Sequence, residues 1–153
     1  MPYTVLKKFL AHSALADRKY LDSFLHYDVP LPQAELVFSH ILNTQHLWIS
    51  RINQVPQTYD RFHQHVVADF ENLYQQNYQQ IDDILASKNL EDYVSYTNMA
   101  GETYKNSIED MLMNIASHST YHRGQIATQF RRHGITPPVT DYVVLVRDSE
   151  LPF

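Results

Sequence analysis

The chain has no cysteine. Disulfides, thiolate nucleophiles, zinc ribbons and iron–sulfur clusters are thereby excluded, and any metal must be held through nitrogen or oxygen. Glycine is scarce, with 3 in 153 residues. That argues against a β-rich fold with many tight turns and for long helices. No run of apolar residues approaches the ~18 needed to span a membrane. The first eight residues carry no apolar stretch before a small-residue cleavage site, so no signal peptide is expected. With the lack of cysteine, this fits a cytoplasmic location. Basic residues are also short: 12 Lys and Arg face 17 Asp and Glu, for a formal charge of -5. Phosphate binding needs a basic surface, so nucleic acid is not expected as a partner, and neither is a membrane.

What the sequence does have is 9 histidines and 11 tyrosines in a chain of which 44% is hydrophobic. A length of 153 residues suits one domain, residues 1–153, and at that size folding buries roughly 70% of the surface of the unfolded chain. Val5, Leu6, Phe9, Leu10, Leu21, Phe24 and Leu25 form a helical stripe from Thr4, a potential cap, to about Tyr27. Proline at positions 30 and 32 breaks it. A second helix is expected from Pro32 to about Asn53, where Val55 and Pro56 end it. A third is expected from Val66 to Ser87, with Tyr74 and Tyr78 one turn apart on one face. Residues 93–105 are β-prone around a turn at Ala100 and Gly101, which predicts a short hairpin or an irregular loop. A fourth helix runs from Ser107, in a capping box with Asp110, to about His133, and Gly134 stops it. The apolar segment 141–146 fits a short helix better than a strand. Four amphipathic helices with short connections predict an all-α four-helix bundle, with a short hairpin or loop before the fourth helix and a short C-terminal segment.

Sites in such bundles form where facing helices converge. His118 and His122 are four residues apart, so their side chains share a helix face with Cβ atoms ~6 Å apart, within reach of one ion. The spacing matches zinc enzymes of the H-E-x-x-H type, but Ser119 stands where their catalytic Glu would be, and that chemistry is not supported. With 9 histidines present, chance readily produces one such pair. The helical phase strengthens it, because Ile115, His118, His122, Gln125 and Ile126 fall on one side. A third ligand must come from another helix. His40 shares the apolar face with Val37 and Ile41, whereas His46 lies about 240° further round, so helical phase favours His40. Asn43, Thr44, Tyr121 and Gln125 are candidates to orient ligands, each set against simple packing. Arg123 is read as a surface salt bridge rather than an anchor for an anion. Glu102 is a weak candidate for a role near the metal. His63 and His65 are read as solvated loop residues.

Two segments carry a resemblance. Phe38-Ser39-His40-Ile41-Leu42-Asn43-Thr44-Gln45-His46-Leu47-Trp48-Ile49-Ser50-Arg51 is similar to the second-helix motif of DinB-like proteins. Residues 114–126, containing His118-Ser119-Thr120-Tyr121-His122-Arg123-Gly124-Gln125, resemble their fourth-helix motif. Gly134-Ile135-Thr136-Pro137-Pro138 and Thr140-Asp141-Tyr142 are also similar to that family. The resemblance implies a four-helix bundle with a divalent metal, nickel or zinc, held by His40, His118 and His122. It also implies a homodimer and open coordination positions. It further implies, for some relatives, a thiol-dependent transferase or isomerase using bacillithiol, mycothiol or glutathione. Since this chain has no cysteine, such a thiol would arrive as a low-molecular-weight cofactor beside a small-molecule substrate. Metal-assisted hydrolysis is the rival enzymatic reading, and a non-catalytic metal-binding stress-response protein is the third.

Overall fold

In the computed structural model, residues 4–153 are described; residues 1–3, part of the N-terminal segment read above, lie outside them. Four long helices dominate. They are α1 (Thr4–His26), α2 (Pro32–Asn53), α3 (Val67–Ser87) and α4 (Ile108–Arg132), with a short α5 (Tyr142–Arg147). A two-stranded antiparallel sheet, β1 (Tyr93–Thr97) and β2 (Thr103–Ser107), stands between α3 and α4, with Tyr93 opposite Ser107 and Thr97 opposite Thr103. The hairpin and the short final helix are thus both present.

Local chemistry sets these boundaries. Pro32 opens α2, where its missing N–H leaves no intrahelical bond unmade, and the Leu31 N–H donates back to Glu35 Oε2 at 3.2 Å. Ser107 closes the hairpin and caps α4 at once, its hydroxyl accepting from the Asp110 N–H at 3.1 Å. In the hairpin turn the Asn98 side chain accepts from the N–H groups of Ala100 and Glu102, and Gly101 takes φ +79°. Gly134, at φ +72°, ends α4, and the Ile135 N–H returns to the Phe130 carbonyl at 2.9 Å. α2 ends the same way without glycine. Gln54 adopts φ 56°, a conformation that a non-glycine residue reaches at a cost of ~1–2 kcal/mol.

The core is divided. One apolar cluster contains Leu21, Phe24, Phe38, Phe70, Ile126 and Phe130. The other contains Leu6, Leu10, Ile49, Ile52, Ile81, Ile84, Leu112 and Ile115. Between them, on every long helix, polar residues are buried: Ser13 and Asp17 on α1, Gln45 on α2, Asn77 on α3, Ser119 and Arg123 on α4. Arg123 Nη1 donates to Asp17 Oδ1 at 2.5 Å, and the two side chains are 4% and 0% exposed. Asp17 Oδ2 accepts from the Tyr78 hydroxyl at 2.5 Å and from Gln45 Nε2 at 2.8 Å. Gln45 Nε2 also reaches Ser119 Oγ at 3.1 Å, and Gln45 Oε1 accepts from Asn77 Nδ2 at 3.1 Å. Arg123 is therefore a buried cation in the middle of the core, not the surface salt bridge its sequence context suggested. Its position shares the buried face of α4 with Ala116, Ser119, Ile126, Ala127 and Phe130, so it was the charge of the side chain, not its helical phase, that suggested the surface.

The order of the clusters along each helix gives the chain directions. α1 and α4 run from the second cluster to the first, and α2 and α3 run the opposite way. Since α2 and α3 are parallel, the segment 54–66 must travel back along α2. It does so in steps. The Thr58 N–H meets His46, the Arg61 and His63 carbonyls meet Asn43, and the His65 N–H meets Ser39. This return strand lies over the face of α2 that carries His40.

Removing one partner of the Asp17–Arg123 pair leaves an uncompensated charge in the core. Arg123→Met or Asp17→Leu alone is expected to lower the unfolding free energy by about 3–5 kcal/mol. The double replacement is expected to lose less than the sum of the two. Urea denaturation of the three variants checks this, and strict additivity would argue against a coupled pair.

Candidate metal centre

His40 on α2 and His118 and His122 on α4 come together. One ligand-type nitrogen from each lies within 4.8 Å of the others, and all three rings are half-buried. His118 Nε2 and His40 Nε2 face each other at 3.1 Å. Two nitrogens that each sit ~2.0–2.1 Å from one ion, at angles between octahedral and tetrahedral, are ~2.9–3.4 Å apart. The observed separation falls within that span. Among the described residues no carboxylate joins the group.

Hydrogen bonds fix which nitrogen of two rings is free. His40 Nδ1–H donates to the Arg61 carbonyl at 3.0 Å, so its Nε2 keeps the lone pair. His122 Nδ1 pairs with Gln125 Oε1 at 2.7 Å, and an amide oxygen only accepts, so its Nε2 is likewise free. The Phe62 ring stacks on His40 at 5.2 Å with 7° between planes. Burial is the largest cause that lowers the pKa of His40 and of His118; the hydrogen bond to the Arg61 carbonyl opposes it at His40, while at His118 the neighbouring imidazoles and Arg61 add to it, and His118 falls to about 3. Both rings are neutral at pH 7, the state in which imidazole can bind a cation.

A cavity of about 310 Å³ opens beside His40 and His118. Thr44, Trp48, Arg51, Arg61 and Phe62 help to line it. The Thr44 hydroxyl oxygen is buried without a hydrogen-bond partner among the described residues. Three converging imidazole nitrogens, with an open space beside two of the rings, fit a divalent ion with room for exchangeable ligands.

The sequence profile of the DinB family matches residues 27–149. The chain belongs to the DinB family. A search of curated proteins finds no match. The DinB match covers α2 through α5, so it includes all three histidines and the return segment that supports His40.

Other sequence candidates within this DinB chain divide sharply. His46 points away, its Nε2 accepting from the Thr58 N–H at 2.8 Å, and it does not join the cluster. Gln125 orients His122 directly. Asn43 acts one step out, holding the carbonyls of Arg61 and His63 at 3.4 and 2.7 Å. Tyr121 is 68% exposed and only sets its ring edge against His122, at 5.0 Å between centroids. Glu102 bonds to Tyr104 and Asn98 at the exposed hairpin turn and is not part of the cavity wall. His65, expected to be solvated, is 6% exposed and donates from Nε2 to Asn43 Oδ1 at 2.6 Å, because the return segment folds inward there. His63 is exposed as expected. Sequence reasoning missed Arg61 and Phe62. Arg61 contributes a backbone carbonyl, which every residue type has, and Phe62 lies in a segment without periodicity.

Burial lowers the pKa of His40, His46, His65 and His118 in the folded state. The unfolded chain then takes up protons below ~6.5 that the native protein refuses, so stability is full above that pH and is lost as pH falls. Metal-free protein is expected to show a falling urea midpoint between pH 7 and pH 5, where carboxylates stay ionised. His118→Asn should reduce that slope, and an unchanged slope would remove His118 as a contributor.

Proposed function

We propose that His40, His118 and His122 hold one divalent metal ion, nickel or zinc, and that the chain is a metal-dependent enzyme acting on a small molecule. The observation that carries this reading is the convergence of three imidazoles, two of them lining a cavity, with no fourth protein ligand among the described residues. A structural site would be closed by a fourth side chain; an open one leaves space for chemistry. When bound, such an ion acts as a Lewis acid and lowers the pKa of a coordinated thiol or water.

The protein's own residues do the positioning. The Arg61 carbonyl and Gln125 hold two imidazoles in the ligating tautomer, and Asn43 in turn holds the Arg61 carbonyl. Such outer partners typically account for 10–100-fold in metal affinity. Phe62 stacks on one face of His40 and so limits how that ring can turn.

The leading reaction is S-transfer or isomerisation with a low-molecular-weight thiol, which this cysteine-free chain must take from outside. Family membership supports it. Metal-assisted hydrolysis uses the same open site, and a non-catalytic metal-binding role in stress response uses the ligands without the cavity. The four long helices belong to this reading as a four-helix bundle, as do a homodimer and a cytoplasmic location. No described helix is long and apolar enough to cross a membrane.

Elemental analysis of protein purified without a His tag is expected to give about one equivalent of nickel or zinc, lost in the His118→Ala, His122→Ala double variant. His40→Ala should lower the content and His46→Ala should not. The metal-loaded protein, given small thiols with electrophilic substrates, is expected to turn over in a metal-dependent way. Full metal content in the double variant would overturn the ligand set. One equivalent of metal without turnover over a broad panel would leave the non-catalytic reading.

A further inference from the structure

The cavity beside His40 and His118 carries two guanidinium groups that no acidic side chain among the described residues neutralises. Arg51 and Arg61 both line it. The ion pairs among the described residues engage Arg18, Lys19, Arg123 and Arg147 instead. Arg51 is held by aromatic faces, its guanidinium carbon 4.7 Å from the Trp48 ring centroid and 4.4 Å from that of Tyr96. A guanidinium stacked through its face keeps its N–H donors in plane, free for an acceptor at the edge. Arg61 lies over Phe62 at 6.0 Å. Both arginines are partly buried. Each cation also raises the potential at the other, and burial adds to the strain on Arg51. In a chain with 17 acidic residues and a formal charge of -5, two half-buried cations without a carboxylate are an unfavourable arrangement, which a ligand of opposite sign relieves.

We infer that this cavity binds a small organic anion, its carboxylate or phosphate head taken by Arg51 and Arg61 and its aromatic or apolar body by Trp48 and Phe62. The inference names a substrate class for the metal-dependent reaction proposed above, and rests on that reading for its catalytic meaning; binding of the anion itself does not need the ion. A volume of about 310 Å³ suits a molecule of one ring or a short chain.

Trp48 is the single tryptophan of the chain and lines the cavity, so its fluorescence reports occupancy. Phenylacetate, phenyl phosphate and the neutral phenylacetamide are titrated into metal-free and zinc-loaded full-length protein, with calorimetry as the second readout. Saturable binding of an anion is expected in both forms, with the amide weaker by about tenfold or more. The tighter of the two anions identifies the head group. Arg61→Gln keeps its backbone carbonyl on His40 and is expected to weaken anion binding by about tenfold or more, leaving the amide unchanged. Arg51→Lys, which keeps the charge and loses the planar fork, should fall between. Circular dichroism and zinc content of each variant establish that the fold and the histidines are intact. Equal affinity for amide and anions, or wild-type anion affinity in a folded Arg61→Gln protein, overturns the proposal. Anion binding by protein that takes up no zinc sustains it while removing the metal reading, so the two fail separately.

Discussion

The Asp17–Arg123 pair and the polar layer around it constrain the whole structure. Asp17 accepts from three helices: from Tyr78 on α3, Gln45 on α2 and Arg123 on α4. A carboxylate taken out of water this completely tolerates few geometries, because an unpaired charge in the core costs far more than a misplaced methyl group. Sliding α4 by one turn against α1 would bring Ser119 or Ala127 where Arg123 stands and leave Asp17 unmatched. The apolar clusters on either side do not have this property. Their leucines, isoleucines and phenylalanines exchange neighbours with modest loss, since dispersion and burial are not directional. The layer thus fixes register where the apolar residues supply most of the stabilisation.

The three histidines inherit that register. Gln45 on α2 reaches Ser119 on α4, and these two residues are flanked in sequence by His40 and by His118 and His122. Once Gln45 and Ser119 are opposite one another, the half-buried edge of the same two helices brings the imidazoles together. The return segment then completes the site. Parallel α2 and α3 require a connection long enough to run back along α2, and residues 54–66 follow that path with their backbone carbonyls turned toward Asn43 and His40. Topology therefore produces a hydrogen-bond acceptor for His40 that no side-chain motif encodes.

This explains what could and could not be read from the sequence. Helix limits at Pro32, Ser107 and Gly134 rest on local capping chemistry and were legible to within a residue. His118 and His122 share a face because they are four apart, and His40 differs from His46 by helical phase. Arg123 was misjudged because its charge was weighed above its phase: it shares the buried face of α4 with Ser119, Ile126 and Phe130, and its partner Asp17 lies more than a hundred residues away in sequence. His65 was misjudged because a segment with no periodicity gives no phase at all. The directions of the helices, and hence the path of residues 54–66, are likewise tertiary facts. They follow from the order in which each helix meets the two apolar clusters, which becomes visible only when the clusters are known.

Arg61 shows how few residues this arrangement needs. Its carbonyl accepts from His40 and from Asn43, tying the return segment to α2. Its guanidinium lines the cavity and lowers the proton affinity of His118, while at His40 its carbonyl raises the proton affinity against the same guanidinium's lowering. A positive field would repel a metal cation, yet it also keeps the imidazoles neutral and so free to ligate. Which effect prevails depends on distance and on solvent. A guanidinium at the open side of a cavity is screened by water, whereas direct nitrogen donation to an ion acts at ~2.0–2.1 Å. Ligation of an ion by the three histidines would therefore outweigh the repulsion, and the field would be left to act on whatever else enters the cavity.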